Sequence, residues 1–406
     1  MPIPRGRKPT GAAGNKISKL TATTSENQDG SQAKRSSSPP QGAPKKRTAF
    51  IDITNAHKVQ ISLPGRKKDA KKQAKKTSSA SVATKNQANL KKWVRRGDFL
   101  TSSSECLTCK SVQIKPPRSL FSPSSQIPAE FDIDSENSED CYMCPEYAKD
   151  IFDYLKQREE KFVLCNYMPK QPSLNPEMRA ILIDWLVEVQ VCVCLYHETL
   201  YLAVMMTDHY LSQTPVHREL LQLVGSTAML IASKFEERSP PCVDDFLYIC
   251  DDAYKREELI STEANILQTL RFDINIPIPY RFLRRYAKCV SAGMDTLTLA
   301  RYFCEMSLMD MELVTQRGSL LASACLLMAL VTKDLGGWSA ILQFHSGYQT
   351  SDLAPVVRKL HVMLSAPPDD KLRAIRNKYS HKVFFEVASL PLVDMDILET
   401  TLSQTE

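Results

Sequence analysis

The chain contains 406 residues, of which 43% are hydrophobic and 24% are charged, and its formal net charge is +6 at pH 7. It has no run of about eighteen apolar residues, the length that a bilayer span requires, and its N-terminal MPIPRGRKPT lacks the apolar core of a secretory signal. We therefore expect a soluble intracellular protein whose 12 Cys residues stay as thiols. Cys250, Cys304 and Cys325 lie in strongly apolar stretches and are predicted to be small core residues.

The net charge is divided unequally along the chain. Residues 1–100 contain 23 Lys and Arg against 5 Asp and Glu, a surplus of +18, whereas the other 306 residues contain 29 against 41, a balance of −12. A basic, Ser-rich segment with few aromatic residues cannot bury enough apolar surface to offset its ordering entropy. The sequence thus predicts a disordered regulatory tail and linker over residues 1–140.

One charge run in this tail, RKKDAKKQAKK, is a candidate nuclear import signal or a weak contact for a polyanion. The alternative is a solvated flexible tail, and the two are compatible because an import signal must be exposed. We expect a nuclear protein on this basis. The cations of the run are Arg66, Lys67, Lys68, Lys71, Lys72, Lys75 and Lys76.

From about Pro145 onward the hydrophobic spacing is helical. An N-terminal helix over 145–168 begins with Pro145 and places Tyr147, Ile151 and Tyr154 along one stripe. Five further helices follow over 173–275, the first of them opened by Asn175 as a capping residue.

After INIPIP the same order of helices returns over 276–390, with a second helix rich in small residues, RGSLLASACLLMALVTK. The two halves resemble a duplicated unit of about a hundred residues, a usual domain size. Because no segment alternates in the manner of a strand, the predicted fold class is all-α.

Two segments, MRAILIDWLVEVQ and LQLVGSTAMLIASKFEE, resemble the cyclin box nearly residue for residue. The resemblance implies two tandem five-helix cyclin boxes behind the disordered basic tail, no catalysis of its own and no cofactor. It also implies one main partner, a cyclin-dependent kinase. The sequence of these segments is most similar to that of mitotic A- and B-type cyclins, and RTAFIDITN, EFDID and CNYM are similar to the third branch of the B-type.

The resemblance implies that Lys234 and Glu263 form a pair that is presented to the kinase backbone. It gives them apolar companions on the N-terminal helix and in the first box: Tyr147, Ile151, Tyr154, Phe235, Leu267, Phe272 and Ile274. Without the resemblance, the two charges would be solvated surface residues and the apolar side chains would be ordinary core.

The second implied site is a substrate-docking groove, an exposed apolar patch beside an acid that suits a peptide bearing a cation and a leucine. The matching residues are Met178, Ile181, Leu182, Trp185, Glu188, Leu221 and Gln222. The alternative places them all in the core. Arg179 and Asp184, on the same helix, are expected to form a structural pair.

The tail also contains RTAFIDITN, which resembles the destruction box that the anaphase-promoting ubiquitin ligase binds in cyclins. Arg47 occupies its first position, Phe50 stands where Leu is usual, and Asn55 is at the ninth. A cation, an apolar anchor and a polar residue on an extended chain suit a linear degron. The alternative is a chance cluster of apolar residues in a tail.

The sequence argues against three other functions. The pairs Cys106–Cys109 and Cys141–Cys144 have CxxC spacing, but the 31 residues between them exceed the usual zinc-module spacing, so we predict no metal. General transcription factor IIB also contains two cyclin-like repeats, but residues 151–406 hold 25 basic against 32 acidic residues, which disfavours direct nucleic-acid binding. No phosphate-binding or catalytic kinase motif occurs, and neither a membrane nor an enzymatic role is expected.

Overall fold

The computed structural model describes residues 127–140 and 143–403, and that part of the chain is helical and has no strand. The predicted all-α class is confirmed. The predicted degron and import run, like most of the predicted tail, lie outside the described residues. None of the helices in the described part is both long and apolar enough to cross a membrane.

An N-terminal helix, α1 (Pro145–Glu159), precedes the first repeat. That repeat consists of five helices: α2 (Pro176–Val193), α3 (His197–Gln213), α4 (Leu221–Glu236), α5 (Val243–Ile249) and α6 (Arg256–Thr269). The second repeat has α7 (Pro279–Cys289), α8 (Met294–Ser307), the single turn α9 (Met311–Val314), α10 (Gly318–Thr332), α11 (Ala340–Ser346) and α12 (Thr350–Ser365). Two helices follow it, α13 (Ala374–Tyr379) and α14 (Met395–Ser403).

The N-terminal helix is shorter than the predicted segment 145–168. It ends at Glu159, and one 3-10 turn continues only to Phe162. The buried Glu159 carboxylate accepts from the backbone N–H of Ser319 in α10 (2.8 Å), which fixes the helix end against the second repeat. The chain then becomes extended at Val163 because Tyr167 enters the first repeat, where its hydroxyl donates to Asp208 (2.6 Å).

The acidic end of the predicted tail is ordered, which corrects the expected boundary at 140. Residues 129–137, here called the N-terminal strap, form two 3-10 turns, Ala129–Phe131 and Ser135–Asn137. Asp134 is 7% exposed and binds Arg285 of α7 through both carboxylate oxygens. The composition of the segment predicted disorder because it gives no sign of the two cations on α7, Arg285 and Lys288, that attract it.

Each repeat is built around one helix of small residues, α4 in the first and α10 in the second. A Cβ atom added at Gly225 of α4 would lie 2.7 Å from Leu182 Cδ1, so glycine permits the close packing of α4 on α2. The three Cys residues predicted to be core, Cys250, Cys304 and Cys325, are buried, as expected.

Arg179 of α2 joins the two repeats, but its partner is not the one predicted. Its guanidinium donates to both oxygens of Asp208 in α3 (2.6 and 2.7 Å) and to the carbonyl oxygen of Leu308 beyond α8 (2.7 Å). The expected pairing with Asp184 is wrong, because Asp184 instead accepts from the backbone N–H of Ala374 in α13 (2.8 Å). Asp184 is five residues from Arg179, and because side chains three or four residues apart share a helix face, it does not lie beside a guanidinium that faces α3.

Helices α13 and α14 extend the second repeat beyond the predicted helices. Lys378 of α13 is buried and donates to both oxygens of Glu305 in α8 (2.8 and 2.7 Å), and also to Gln190 of α2 (3.0 Å). Helix α14 is held on α12 by the bidentate pair of Arg358 and Glu399 (2.5 and 2.7 Å). Together with Arg179, Lys378 fixes the first repeat against the second.

Candidate functional site

Lys234 and Glu263, predicted to act as a pair, form an ion pair across two helices. Lys234 lies in the last turn of α4, where the partial negative charge of the helix end favours a cation. Its ammonium is 2.6 Å from Glu263 Oε1 of α6. The Lys234 side chain is 48% exposed and that of Glu263 is 17% exposed. Because an exposed pair of this kind contributes only about 0–1 kcal/mol to stability, and an ammonium has further donors, the pair can accept an external ligand.

Large apolar side chains are exposed on α1, beside Lys234 at the end of α4, and just after α6. On α1, Tyr147, Ile151 and Tyr154 are 54%, 44% and 52% exposed at the spacing of one helix face. Phe235, which follows Lys234, is 45% exposed, and Phe272 is 67% exposed. Leu267 and Ile274, also predicted here, are only partly exposed and pack against the core. Exposed aromatic clusters of this kind mark interaction surfaces in soluble proteins.

The segment after α6 holds Phe272 outward in an unusual backbone conformation. Arg271 and Phe272 both have positive φ, 52° and 57°, which is rare for a bulky aromatic residue. The backbone N–H of Phe272 donates to the carbonyl oxygen of Leu267 (2.8 Å) and so closes the end of α6. Strain of this kind persists where the surrounding structure over-determines it, often at functional sites.

Helix α1 is fastened to that same segment. Arg158 donates to the carbonyl oxygen of Asn275 (2.7 Å) and forms an ion pair with Asp273, which Lys161 also binds. The hydrogen bond from Lys161, supported by Arg158, lowers the pKa of Asp273. The apolar face of α1 is therefore linked to the Phe272 segment, and α6 is linked to α4 through Glu263. We call Tyr147, Ile151, Tyr154, Lys234, Phe235, Glu263 and Phe272 the α1/α4/α6 surface.

One exposed residue of α6 was absent from the sequence prediction. Ile260 is 46% exposed and lies three residues before Glu263 and seven before Leu267, hence on the same helix face. Helical spacing from Glu263 would have found it. We therefore add Ile260 to the α1/α4/α6 surface.

The predicted docking groove between α2 and α4 is only partly exposed. Leu182, Trp185 and Leu221 are 5%, 9% and 6% exposed and form a buried floor. The rim of this groove, which is more accessible, consists of Met178, Ile181, Glu188 and Gln222. Ile181 is the most accessible apolar member of the rim, at 37%. The expected exposed patch is thus reduced, because the tight α2–α4 packing at Gly225 draws Leu182 into the core.

Two polar groups of α2 lie buried near this groove. The indole N–H of Trp185 has no hydrogen-bond partner among the residues that the structure describes. Burial, opposed by the hydrogen bond from the N–H of Ala374, raises the pKa of Asp184 to about 7.

The cysteine pairs remain largely outside the described residues. Of the four predicted positions only Cys144 is described, and its side chain is exposed. Within residues 127–140 and 143–403, no group of three or more His, Cys, Asp or Glu side chains could hold a metal ion.

Comparison with known proteins assigns each of the two repeats to a domain family. Residues 150–275 match the family model "Cyclin, N-terminal domain", and residues 277–392 match "Cyclin, C-terminal domain". The chain is 52% identical over 412 residues to G2/mitotic-specific cyclin-B3 of Gallus gallus, covering 99% of this chain and 100% of that protein. It is 50% identical over 304 residues to G2/mitotic-specific cyclin-B3 of Homo sapiens, covering 74% of this chain but only 22% of the human protein.

Among solved structures, a viral cyclin from herpesvirus saimiri is similar, with 22% sequence identity and a TM-score of 0.48. That similarity covers 53% of this chain and 96% of the viral cyclin. The two family matches favour the cyclin interpretation of the helical repeats over a transcription factor IIB-like one.

Proposed function

We infer that this chain, which belongs to the cyclin family and to its B-type mitotic members, is the activating regulatory subunit of a cyclin-dependent serine/threonine kinase. Cyclins are regulatory subunits of kinases and not enzymes themselves. The proposed setting is cell division, mitotic or meiotic. The proposal rests on the α1/α4/α6 surface, which combines a half-exposed ion pair with exposed aromatic and aliphatic side chains.

The chemistry of that surface suits stabilisation of one kinase conformation. The apolar side chains would pack on a mobile helix of the kinase, while Lys234 and Glu263 bind backbone groups beside it. A regulatory subunit shifts a two-state equilibrium by binding one state more tightly than the other. If only the active kinase fits the surface, binding completes the Lys–Glu pair that holds the ATP phosphates and frees the activation loop.

The interface assignment is tested by removing the ion pair. We expect Lys234→Ala/Glu263→Ala to weaken affinity for the purified kinase about tenfold or more, since removing hydrogen-bonded charges that an interface buries costs about 2 kcal/mol or more. The matched control is Arg358→Ala/Glu399→Ala, which removes an exposed pair that also joins two helices, α12 and α14. Calorimetric titration would measure both. Full affinity of the first variant would contradict the assignment.

We also propose that the groove between α2 and α4 docks substrates that carry a cation and a leucine. Support comes from the mixed lining, with a buried apolar floor and Glu188 at the rim to attract the cation.

The remaining proposals concern residues 47–76 of the tail, which lie outside the described residues. Arg47, Phe50 and Asn55 would form a destruction box bound by the anaphase-promoting ubiquitin ligase, so that proteolysis ends kinase activation. The basic run from Arg66 to Lys76 would direct import into the nucleus. Both rest on sequence pattern, and the degron is tested below.

A further inference from the structure

The N-terminal strap carries a buried charge that no role so far explains. Asp134 is 7% exposed, and its two oxygens accept from Arg285 Nη1 (2.5 Å) and Nη2 (2.7 Å). Lys288 Nζ, one helix turn along α7, is 3.2 Å from the same carboxylate. Burial alone would raise the pKa of Asp134, but the hydrogen bonds and charges of Arg285 and Lys288 lower it, so the carboxylate is ionised at neutral pH.

Hydrogen bonds within the strap form the turn that places Asp134 against the second repeat. Asp132 accepts from the backbone N–H groups of Asp134 (2.9 Å) and Ser135 (3.0 Å), which fixes the turn that presents Asp134. On the other side of the turn, the Phe131 ring stacks on Phe344 of α11 at 4.8 Å, and His345 Nε2 donates to the carbonyl oxygen of Phe131 (2.8 Å). The segment is therefore bound at two places, and Asp134 is one of them.

Arg285 connects this attachment to α1. Its guanidinium carbon lies 5.1 Å from the centre of the Phe152 ring, within the range of a cation–π contact. Phe152 is on α1, and its ring also packs against Phe282 of α7 (6.2 Å). Because Arg285 is 6% exposed, the carboxylate on one side and the ring on the other determine its position together.

The N-terminal half of α1 is held by apolar packing, through the buried Ala148 and the half-buried Phe152. The polar contacts of the helix with the rest of the fold come from its C-terminal end: Lys156 donates to the carbonyl oxygen of Ser346, Arg158 binds Asp273, and Glu159 binds Ser319. Phe152 is the residue of this half whose ring contacts two side chains of α7, Phe282 and Arg285.

We propose that Asp134 is a positioning residue for kinase binding: it fixes Arg285, which through Phe152 holds the half of α1 that presents Tyr147 and Ile151. The strap is then part of the binding unit and not of the regulatory tail. This inference rests on the proposed function, because it assigns the exposed face of α1 to the kinase. The amide in Asp134→Asn keeps the shape of the side chain but loses the charge that Arg285 and Lys288 require.

The experiment uses the full chain, with Asp134→Asn compared against Glu136→Gln, which neutralises an exposed acid in the same strap. Hydrogen exchange of the free chain should quicken at residues 148–152 in Asp134→Asn and stay unchanged in α10. Affinity for the purified kinase should fall about threefold to thirtyfold, the range of coupling through packed side chains. Phe131→Ala loosens the strap without leaving a buried charge unpaired, and it should act in the same direction.

Several results would overturn the proposal. Unchanged exchange in α1 would show that the strap does not hold the helix, and faster exchange with unchanged kinase affinity would show that holding it does not matter for binding. Equal loss of protection in α10 would show that Asp134 only stabilises the whole fold. If the parent chain itself failed to bind any cyclin-dependent kinase, the proposed function would fall, while the exchange measurement would still decide whether Asp134 positions α1.

Discussion

Replacing Asp208 by Asn should test the buried contact that joins the two repeats. Arg179 and Asp208 are each 1% exposed at their side chains, and the guanidinium donates to both carboxylate oxygens. In Asp208→Asn one of those oxygens becomes an amide N–H that faces a guanidinium N–H, and the buried cation loses its counter-charge. Breaking a buried ion pair by removing one partner costs about 3–5 kcal/mol.

We place the expected loss for Asp208→Asn near the lower end, at about 3 kcal/mol, for two reasons. The remaining amide oxygen can still accept from Tyr167, and Arg179 keeps its bond to the carbonyl oxygen of Leu308. Since whole domains are stable by about 5–15 kcal/mol, such a loss is large.

Urea denaturation of both variants gives the comparison. In the control, Asp184→Asn, the amide oxygen can still accept from the N–H of Ala374, so the free energy of unfolding should change by less than about 1 kcal/mol in the destabilising direction. The m-value should be unchanged for both, because the fold is the same. If Asp184→Asn were the more damaging change, Arg179 would be paired with Asp184 and the account of how the repeats are joined would be wrong.

Three further predictions concern separate parts of the chain. Burial raises the pKa of Asp184 from 3.8 to about 7, so the folded protein favours the neutral carboxyl group. The stability that this preference gives is fully present below pH 3.8 and is lost as the pH rises through about 7. Denaturation curves of Asp184→Asn and of the parent, recorded at pH about 5 and about 8, should therefore show that the variant is more stable relative to the parent at the higher pH. If the difference in unfolding free energy between the two proteins were the same at both pH values, the raised pKa would be contradicted. In the groove, Ile181→Ala should weaken the affinity for a client peptide about threefold to tenfold with little loss of stability, whereas Trp185→Ala, at a less exposed site, should lose about 3–5 kcal/mol of folding free energy. Fluorescence anisotropy measures the affinity and denaturation measures the stability. Full peptide affinity of Ile181→Ala would show that Ile181 is not part of the groove. In the tail, Arg47→Ala/Phe50→Ala should lengthen the protein's half-life at mitotic exit in a cycling extract, with Arg66→Ala/Lys67→Ala as the control, and unchanged turnover would discard the degron.

Regular helices were predictable because periodicity and capping are local. Asn175 accepts from the N–H of Met178 (2.8 Å), the capping bond that the sequence predicts. The crowding of α4 also follows from its own small residues. The pairing of Lys234 with Glu263, 29 residues apart, came from resemblance to a family, and spacing alone would not have found it.

Two of the wrong predictions have one physical cause, which is that the residue that forms the contact is distant in sequence. Composition predicted disorder up to residue 140, whereas Asp134 finds Arg285, 151 residues away. Arg179 pairs with Asp208, 29 residues away, and not with Asp184, which is nearer in sequence. Helix α14 went unpredicted although Asp394 accepts from the N–H of Asp396 (3.0 Å) in the manner of a capping residue, a local signal that was available.

The central claim is that this chain activates a kinase and has no phosphotransferase activity of its own. The most direct measurement titrates the full chain into a fixed amount of purified cyclin-dependent kinase and follows phosphate transfer from ATP to a peptide substrate. We predict activity that rises with added chain, saturates at one chain per kinase and is absent when either protein is omitted. Phosphate transfer by the chain alone, or a kinase whose activity stays flat throughout the titration, would contradict the account.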